Sequence, residues 1–275
     1  MFTLNAKGRL IILDEPIVMG IINCTPDSFH ESSRVENINE AVNKVAKMLQ
    51  QGAGIIDLGG QTTRPDSTKI SAQTESERVI PVIKAILKIF PDTIISIDTF
   101  YAKVAKDAVE TGALIVNDVS AGLIDKNMLA TVASLKVPYI CMHSTGQGED
   151  LHAPIISADI TRSVMDFFIE RIDACKSAGI RDIIIDPGFG FGKTIPENLK
   201  LVKDLSILTK LQKPILLGVS RKSSIYKTLN GTAETALNGT TVLNTIGVLN
   251  GANILRVHDV REATEAIKLT ILVTK

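Results

Sequence analysis

Ile183-Ile184-Ile185-Asp186-Pro187-Gly188-Phe189-Gly190-Phe191-Gly192-Lys193 is the stretch on which the fold of this chain turns. An apolar β-branched run ends in a carboxylate, and a glycine-rich turn follows. A buried parallel strand delivers a polar group to its C-terminal end in this way. Two nucleotide-binding loops have a similar look, and both fail on spacing. In G-x-x-x-x-G-K-[ST], Gly192-Lys193-Thr194 would be the end, but the first glycine falls on Pro187, which has no N–H to donate. A dinucleotide G-x-G-x-x-G beginning at Gly188 needs a third glycine where Lys193 stands.

The same unit recurs along the chain: a short apolar run, a polar loop, then a segment of helical period. Strand candidates are 17–22, 55–58, 93–97, 114–116, 138–142, 182–185, 214–219 and 253–257. Between them, Ile38, Ala41, Val42, Val45, Met48 and Leu49 form one helical stripe, and Ile160, Val164, Phe167, Phe168 and Ile172 form another. Pro81 lies inside the pattern of the second helix and is expected to start or kink it. Eight strands alternating with helices predict an α/β fold, a closed (β/α)8 barrel forming a single domain over 1–275. Segment 2–13 is extra and reads as a short N-terminal β-hairpin turning at Lys7-Gly8 across the barrel bottom.

Bulk properties agree with a barrel enzyme. The 275 residues are 45% hydrophobic and 22% charged, enough apolar material for a large core. Lys plus Arg and Asp plus Glu both number 30, so no net charge draws the chain to nucleic acid or an anionic membrane. Three cysteines without a CxxC pair fit a reducing cytoplasm. No signal peptide or membrane span is expected.

Barrel enzymes work at the C-terminal ends of their strands. Here those ends carry Asn23, Asp57, Asp98, Asn117-Asp118, Met142-His143, Asp186, Ser220-Arg221-Lys222, and Arg256 with His258. Asp98, Asn117, Asp186 and Lys222 combine acceptors, an amide and an ammonium, which suits the edge of a flat, nitrogen-rich heterocycle. Asn23, Arg64, Arg256 and His258 suit an anion with many oxygens, above all a diphosphate. Gly218 and the glycines of 188–192 let a ring approach the backbone, and Phe189 and Phe191 could wall it. Asp57 and Asp118 read as structural groups bonding loop N–H donors, His143 as a hydrogen-bonding rim residue, His152 as solvated, and Arg221 as the partner of a loop carboxylate.

Five motifs in order resemble the dihydropteroate synthase family: Asn23-Cys24-Thr25-Pro26-Asp27-Ser28-Phe29, Gly59-Gly60-Gln61-Thr62-Thr63-Arg64-Pro65, the stretch 186–193, Ser220-Arg221-Lys222-Ser223, and Arg256-Val257-His258. The resemblance implies condensation of 6-hydroxymethyl-7,8-dihydropterin diphosphate with p-aminobenzoate, in the presence of Mg2+. It assigns Asp98, Asn117, Met142, Asp186, Phe191, Lys222 and Arg256 to the pterin. Asn23, Arg64, Arg256 and His258 go to the diphosphate, with Asn23 on the metal. Asp27, Phe29, Thr63, Arg64, Pro65, Lys222 and Ser223 go to the loops and the p-aminobenzoate and sulfonamide site. Asp98, Asn23, Arg256 and Lys222 are the expected catalytic set, and a homodimer is implied. Gln61 stands where the family commonly has glutamate, and His30-Glu31-Ser32-Ser33-Arg34 lacks the family's glycine-rich loop ending. A pterin-dependent methyltransferase and a non-catalytic pterin-binding paralogue are the alternatives. The first would need the pterin-edge residues without the diphosphate set. The second would keep the edge and lose the loops.

Overall fold

A computed structural model of the chain describes residues 1–25, 34–61, 69–144, 152–155 and 157–274. Strands β1 (Phe2–Ala6) and β2 (Arg9–Leu13) form an antiparallel hairpin. The barrel strands are β3 (Ile17–Asn23), β4 (Ala53–Gly59), β5 (Ile95–Asp98), β6 (Ile115–Asp118), β7 (Tyr139–Met142), β8 (Ile183–Asp186), β9 (Leu216–Leu217) and β10 (Ile254–Val257). They pair in parallel in the order β8-β7-β6-β5-β4-β3-β10-β9. An Ile185–Ile215 bridge closes the ring, with the Ile185 N–H donating to the Pro214 carbonyl at 2.9 Å. Strand β9 is shorter than the sequence pattern predicts, because the Ile215 N–H is taken by Asn253 Oδ1 at 2.9 Å instead of a ladder partner.

Helices α1 (Arg34–Gln50), α2 (Ala72–Ile89), α3 (Ala102–Thr111), α4 (Met128–Leu135), α5 (Ile160–Ser177), α6 (Ile195–Lys203), α7 (Leu205–Leu208), α8 (Ser223–Thr228), α9 (Leu237–Leu249) and α10 (Val260–Thr274) follow the strands. Pro81 does not begin α2. The helix starts at Ala72, where the Ser71 hydroxyl accepts the Thr74 N–H at 3.1 Å, and runs on through the proline. The missing N–H costs α2 one ladder bond. Among the described residues no helix is long and apolar enough to cross a membrane.

Period-two alternation sorts every strand. Ile56, Leu58, Ile95, Ile97, Val116, Tyr139, Cys141, Ile183, Ile185, Leu217 and Leu255 point outward into the layer shared with the helices. Met19, Ile55, Ile115, Ile140, Ile184, Leu216 and Ile254 point inward and meet Leu4, Ala6, Ile11 and Leu13 of the hairpin. The hairpin therefore plugs the barrel floor, as its alternating pattern predicts. Its buried Leu4, Ile11 and Leu13 side chains each contribute about 1.5–3 kcal/mol by leaving water.

Candidate active site

One step of the same alternation above the apolar floor, most of the inward side chains become polar, Met142 and Gly218 excepted. Asp57 follows Ile55, Asn117 follows Ile115, Met142 follows Ile140, Asp186 follows Ile184, Gly218 follows Leu216 and Arg256 follows Ile254. Strand pairing sets Asp98 beside Asn117 and Met142 beside Asp186. The floor of the mouth is thus a ring of carboxylates, one amide and one guanidinium, standing on aliphatic side chains.

Arg256 organises this ring. Its Nε donates to Asp57 Oδ2 at 2.6 Å, and one terminal nitrogen donates to Asp98 Oδ2 at 2.5 Å. Asn117 Nδ2 also donates to Asp57 Oδ2, at 3.1 Å. Asp57 is wholly buried, and its carboxylate accepts from two side chains of the mouth. It does not bond loop N–H groups, so the structural role expected for it is corrected. Burial disfavours the Arg256 cation, but Asp57 and Asp98 outweigh that and hold it above its ordinary value. Burial pushes Asp98 up to about 7 against the pull of Arg256.

Across the mouth, Asp186 Oδ1 accepts the Gly188 N–H at 2.7 Å, and its carboxyl is raised by burial, with Lys222 opposing. Lys222 is lowered to about 8 by burial, with Asp186 opposing. Its ammonium donates to the Phe189 carbonyl and lies 4.5 Å from the centre of the Phe191 ring. Gly218 separates the two sides: a Cβ there would sit 3.8 Å from Arg256 Cβ and 3.9 Å from Asp186 Oδ2. Phe191 joins Phe100, Val119 and Met142 in a small apolar wall at the rim. Phe189 is core packing at 1% exposure, not wall.

The glycine-rich stretch is a built loop. Gly188 has φ +66°, and a Cβ there would lie 1.9 Å from the His143 carbonyl oxygen. Gly190 has φ +85° and lets the Lys222 stem pass 2.9 Å from where its Cβ would be. Lys193 Nζ donates to the carbonyls of Gly188 at 2.8 Å, Phe191 at 3.1 Å and His143 at 3.3 Å. It knots the loop, and burial brings it down to about 7. Asn198, fully buried, accepts the Gly190 N–H at 2.6 Å and donates to Lys193 O, Thr194 O and Ser224 Oγ at 3.0–3.1 Å. Asn198→Ala orphans the Gly190 N–H, and an expected loss of about 2 kcal/mol lowers the thermal midpoint by roughly 5 °C. An unchanged melting curve would show that the bracket carries no stability.

The remaining predicted residues fall as follows. Asn23 ends β3 and is exposed to solvent, and Ser223 opens α8, also exposed. His258 follows β10, with Nδ1 3.0 Å from Ser220 Oγ. Arg221 forks onto Asp259 at 2.8 and 2.9 Å, the loop carboxylate partner expected for it. Asp118 accepts from Ser120, Gly122 and the Tyr139 hydroxyl, a structural role as expected. Among the described residues His143 has no hydrogen-bond partner at Nδ1, and its ring meets Phe167 edge-on at 4.8 Å. His152 is not simply solvated: it stacks on Phe191 at 5.0 Å. Asp27, Phe29, Thr63, Arg64 and Pro65 lie outside the described residues.

Known proteins match this chain over nearly its whole length. The pattern of the pterin binding enzyme family fits residues 19–258. The dihydropteroate synthase of Clostridium beijerinckii is 40% identical over 261 residues, 94% of each chain. The chain belongs to the dihydropteroate synthase family. Two solved structures of that family overlay closely. Dihydropteroate synthase of Xanthomonas albilineans with 4-aminobenzoic acid gives a TM-score of 0.91 at 36% identity, covering 99% of this chain and 98% of that one. The Yersinia pestis dihydropteroate synthase in a sulfonamide drug complex also gives 0.91 at 36% identity, covering 99% of both chains.

Proposed function

We propose that this chain condenses 6-hydroxymethyl-7,8-dihydropterin diphosphate with p-aminobenzoate to give 7,8-dihydropteroate and pyrophosphate. The observation that carries the reading is the Arg256 guanidinium held between Asp57 and Asp98, facing Asp186 and Lys222 across the bare Cα of Gly218. Full-length identity to synthases favours this over a methyltransferase. In the slot, Asp186 accepts hydrogen bonds from the amino and N–H edge of the pterin, and Asn117 and Lys222 serve its remaining nitrogen and carbonyl positions. The Arg256 plane covers the ring face. As the C–O bond to the diphosphate breaks, positive charge spreads over the methylene and the ring. Asp98, already fixed by Arg256, stabilises that charge without reorganising. The diphosphate leaves with the bonding electrons toward Asn23 and His258. The p-aminobenzoate nitrogen forms the new C–N bond and then loses its proton.

Asn23 presents a neutral amide oxygen at the mouth. That donor fits Mg2+, which takes most of its oxygens from phosphates and water. When bound, the ion would neutralise charge on the departing diphosphate. Asp27, Phe29, Thr63, Arg64, Pro65 and Ser223 are assigned to the acceptor side by their motif positions.

The chain is further proposed to be a cytoplasmic homodimer. Its cysteines are buried and free, which suits a reducing compartment. Val242, Ile246 and Leu249 on α9 and Leu269, Leu272 and Val273 on α10 are 37–84% exposed on adjacent helices. A second copy covering that apolar face would remove it from water. Light scattering at working concentration is expected to give twice the chain mass, and Leu272→Glu to halve it. A monomeric wild-type mass would remove the dimer.

The activity itself is tested by mixing the purified protein with dihydropterin diphosphate, Mg2+ and p-aminobenzoate and assaying both products. Dihydropteroate and pyrophosphate in equal amounts support the synthase. Bound pterin with no turnover would instead leave a pterin-binding paralogue.

A further inference from the structure

Glu75 lies in the first turn of α2 and is 0% exposed, yet among the described residues neither carboxyl oxygen has a partner within hydrogen-bond or ion-pair distance; the side chain of Thr99, just past β5, is the neighbouring donor that favours its charged form. It packs against the back of the mouth. A Cβ on Gly60 would meet Glu75 Cγ at 2.9 Å, while on the other side of this turn a Cβ on Gly59 would lie 3.7 Å from Asp98 Oδ2. The two carboxyls therefore flank the Gly59-Gly60 turn. The turn is fastened to the same helix by Arg78, which donates to the Gly60 carbonyl at 2.9 Å. An ionised carboxylate without a counter-ion in such a place is very costly, and a second negative charge beside Asp98 adds to the cost.

We propose that Glu75 is a positioning residue that works as a neutral carboxylic acid, wedging α2 against the Gly59-Gly60 turn and leaving the negative charge on that side of the mouth to Asp98. Burial, then the Asp98 charge, act in the same direction and push Glu75 up to about 8, while Thr99 and Arg78 oppose them. Among the described residues the groups facing this corner are few, and Thr99 is a neutral one. Asp98 faces it from β5 and Arg78 from α2 itself. Cys24 at the end of β3 also feels Arg78, but burial pushes its thiol up to about 12, so it stays neutral. Asp107 on α3 is occupied by Ser76 and Lys103. When Glu75 loses its proton, it repels Asp98 and competes with the Gly60 carbonyl for Arg78, three residues away on the helix. The turn that backs Asp98 then loosens.

This inference rests on Asp98 being the charge-stabilising group of the proposed reaction, and its test separates the two. Glu75→Gln keeps the shape and fixes the neutral state. It is expected to retain at least about half the wild-type kcat at pH 7, and the ratio of variant to wild type should rise about tenfold by pH 9, one unit above the Glu75 value. Taking the ratio cancels the loss of the Lys222 proton, which both proteins share. A ratio that stays flat from pH 6 to 9, or a folded variant inactive at pH 7, overturns the proposal. Wild-type protein labelled with 13C at the glutamate carboxyls gives a second reading, free of variants and of turnover. One resonance titrating near pH 8 is expected, and all glutamates ionised by pH 6 would overturn the proposal. Absence of turnover alongside that resonance would count against the synthase reading and not against a protonated Glu75.

Discussion

Asp98→Asn is expected to lower kcat/KM by about 1,000-fold at neutral pH while the barrel stays folded. The substitution preserves shape and still offers an oxygen to the Arg256 nitrogen now 2.5 Å from Asp98. What it removes is the negative charge that, in the proposed reaction, faces the methylene as the diphosphate departs. Loss of one preorganised electrostatic partner is worth about 3–4 kcal/mol in a site that excludes water. The pH profile supplies a second signature. Burial raises Asp98 to about 7, so in the free protein it becomes the needed anion only as pH rises through that value. Wild-type kcat/KM should therefore climb across pH 6–7, below the range in which Glu75 and Lys222 lose their protons, and the asparagine variant should lack that limb. Steady-state pyrophosphate release over this range checks both. Wild-type turnover in the variant, or a retained limb, would remove Asp98 from the charge-stabilising role.

The second large effect is expected at Asp186. Asp186→Asn should weaken dihydropterin binding about 100-fold, roughly 2.7 kcal/mol, the scale of charge-assisted hydrogen bonds in a buried site. The asparagine oxygen can still accept the Gly188 N–H, so the loop itself should hold. Its other oxygen becomes an NH2 group directed at donors of the pterin edge, and a repulsive pair replaces an attractive one. The ammonium of Lys222 also loses its main opposing charge. Calorimetry with a non-reactive pterin measures this without turnover, and unchanged affinity would defeat the assignment.

The architecture was legible because strand and helix periods differ and because polar residues at strand ends interrupt otherwise apolar runs. Asp98, Asn117, Asp186 and Arg256 could be picked out on that signal alone, and the barrel does bring them together. The contacts that decide their chemistry were not legible. Asp57 was legible as a strand-end residue, but Arg256 meets it across 199 positions of chain, so nothing local pairs the two. Asn198 sits on a helix whose sequence shows only a capping pattern, and its role as bracket comes from a loop and a second helix folding onto it. Glu75 resembles the other acidic residues of a helix start, and only burial distinguishes it. Pro81 does not start α2: the Ser71 cap and the buried face of the helix outweigh one missing hydrogen bond. The motif residues 27, 29 and 63–65 lie outside the described residues, so their assignment rests on sequence alone.

The hairpin across the barrel floor has an electrical consequence. Leu4, Ala6, Ile11 and Leu13, with the aliphatic ring above them, form an insulating base several side chains thick. Charges set on an insulator cannot be screened from beneath. The field of Asp57, Asp98 and Asp186 is therefore guided out through the mouth, where a low-dielectric wall concentrates it. A hairpin far from any reacting atom thus sharpens the pull on a nascent cation. Polar side chains introduced at Leu4 or Ile11 would let water into the base and blunt that pull without touching the ligand.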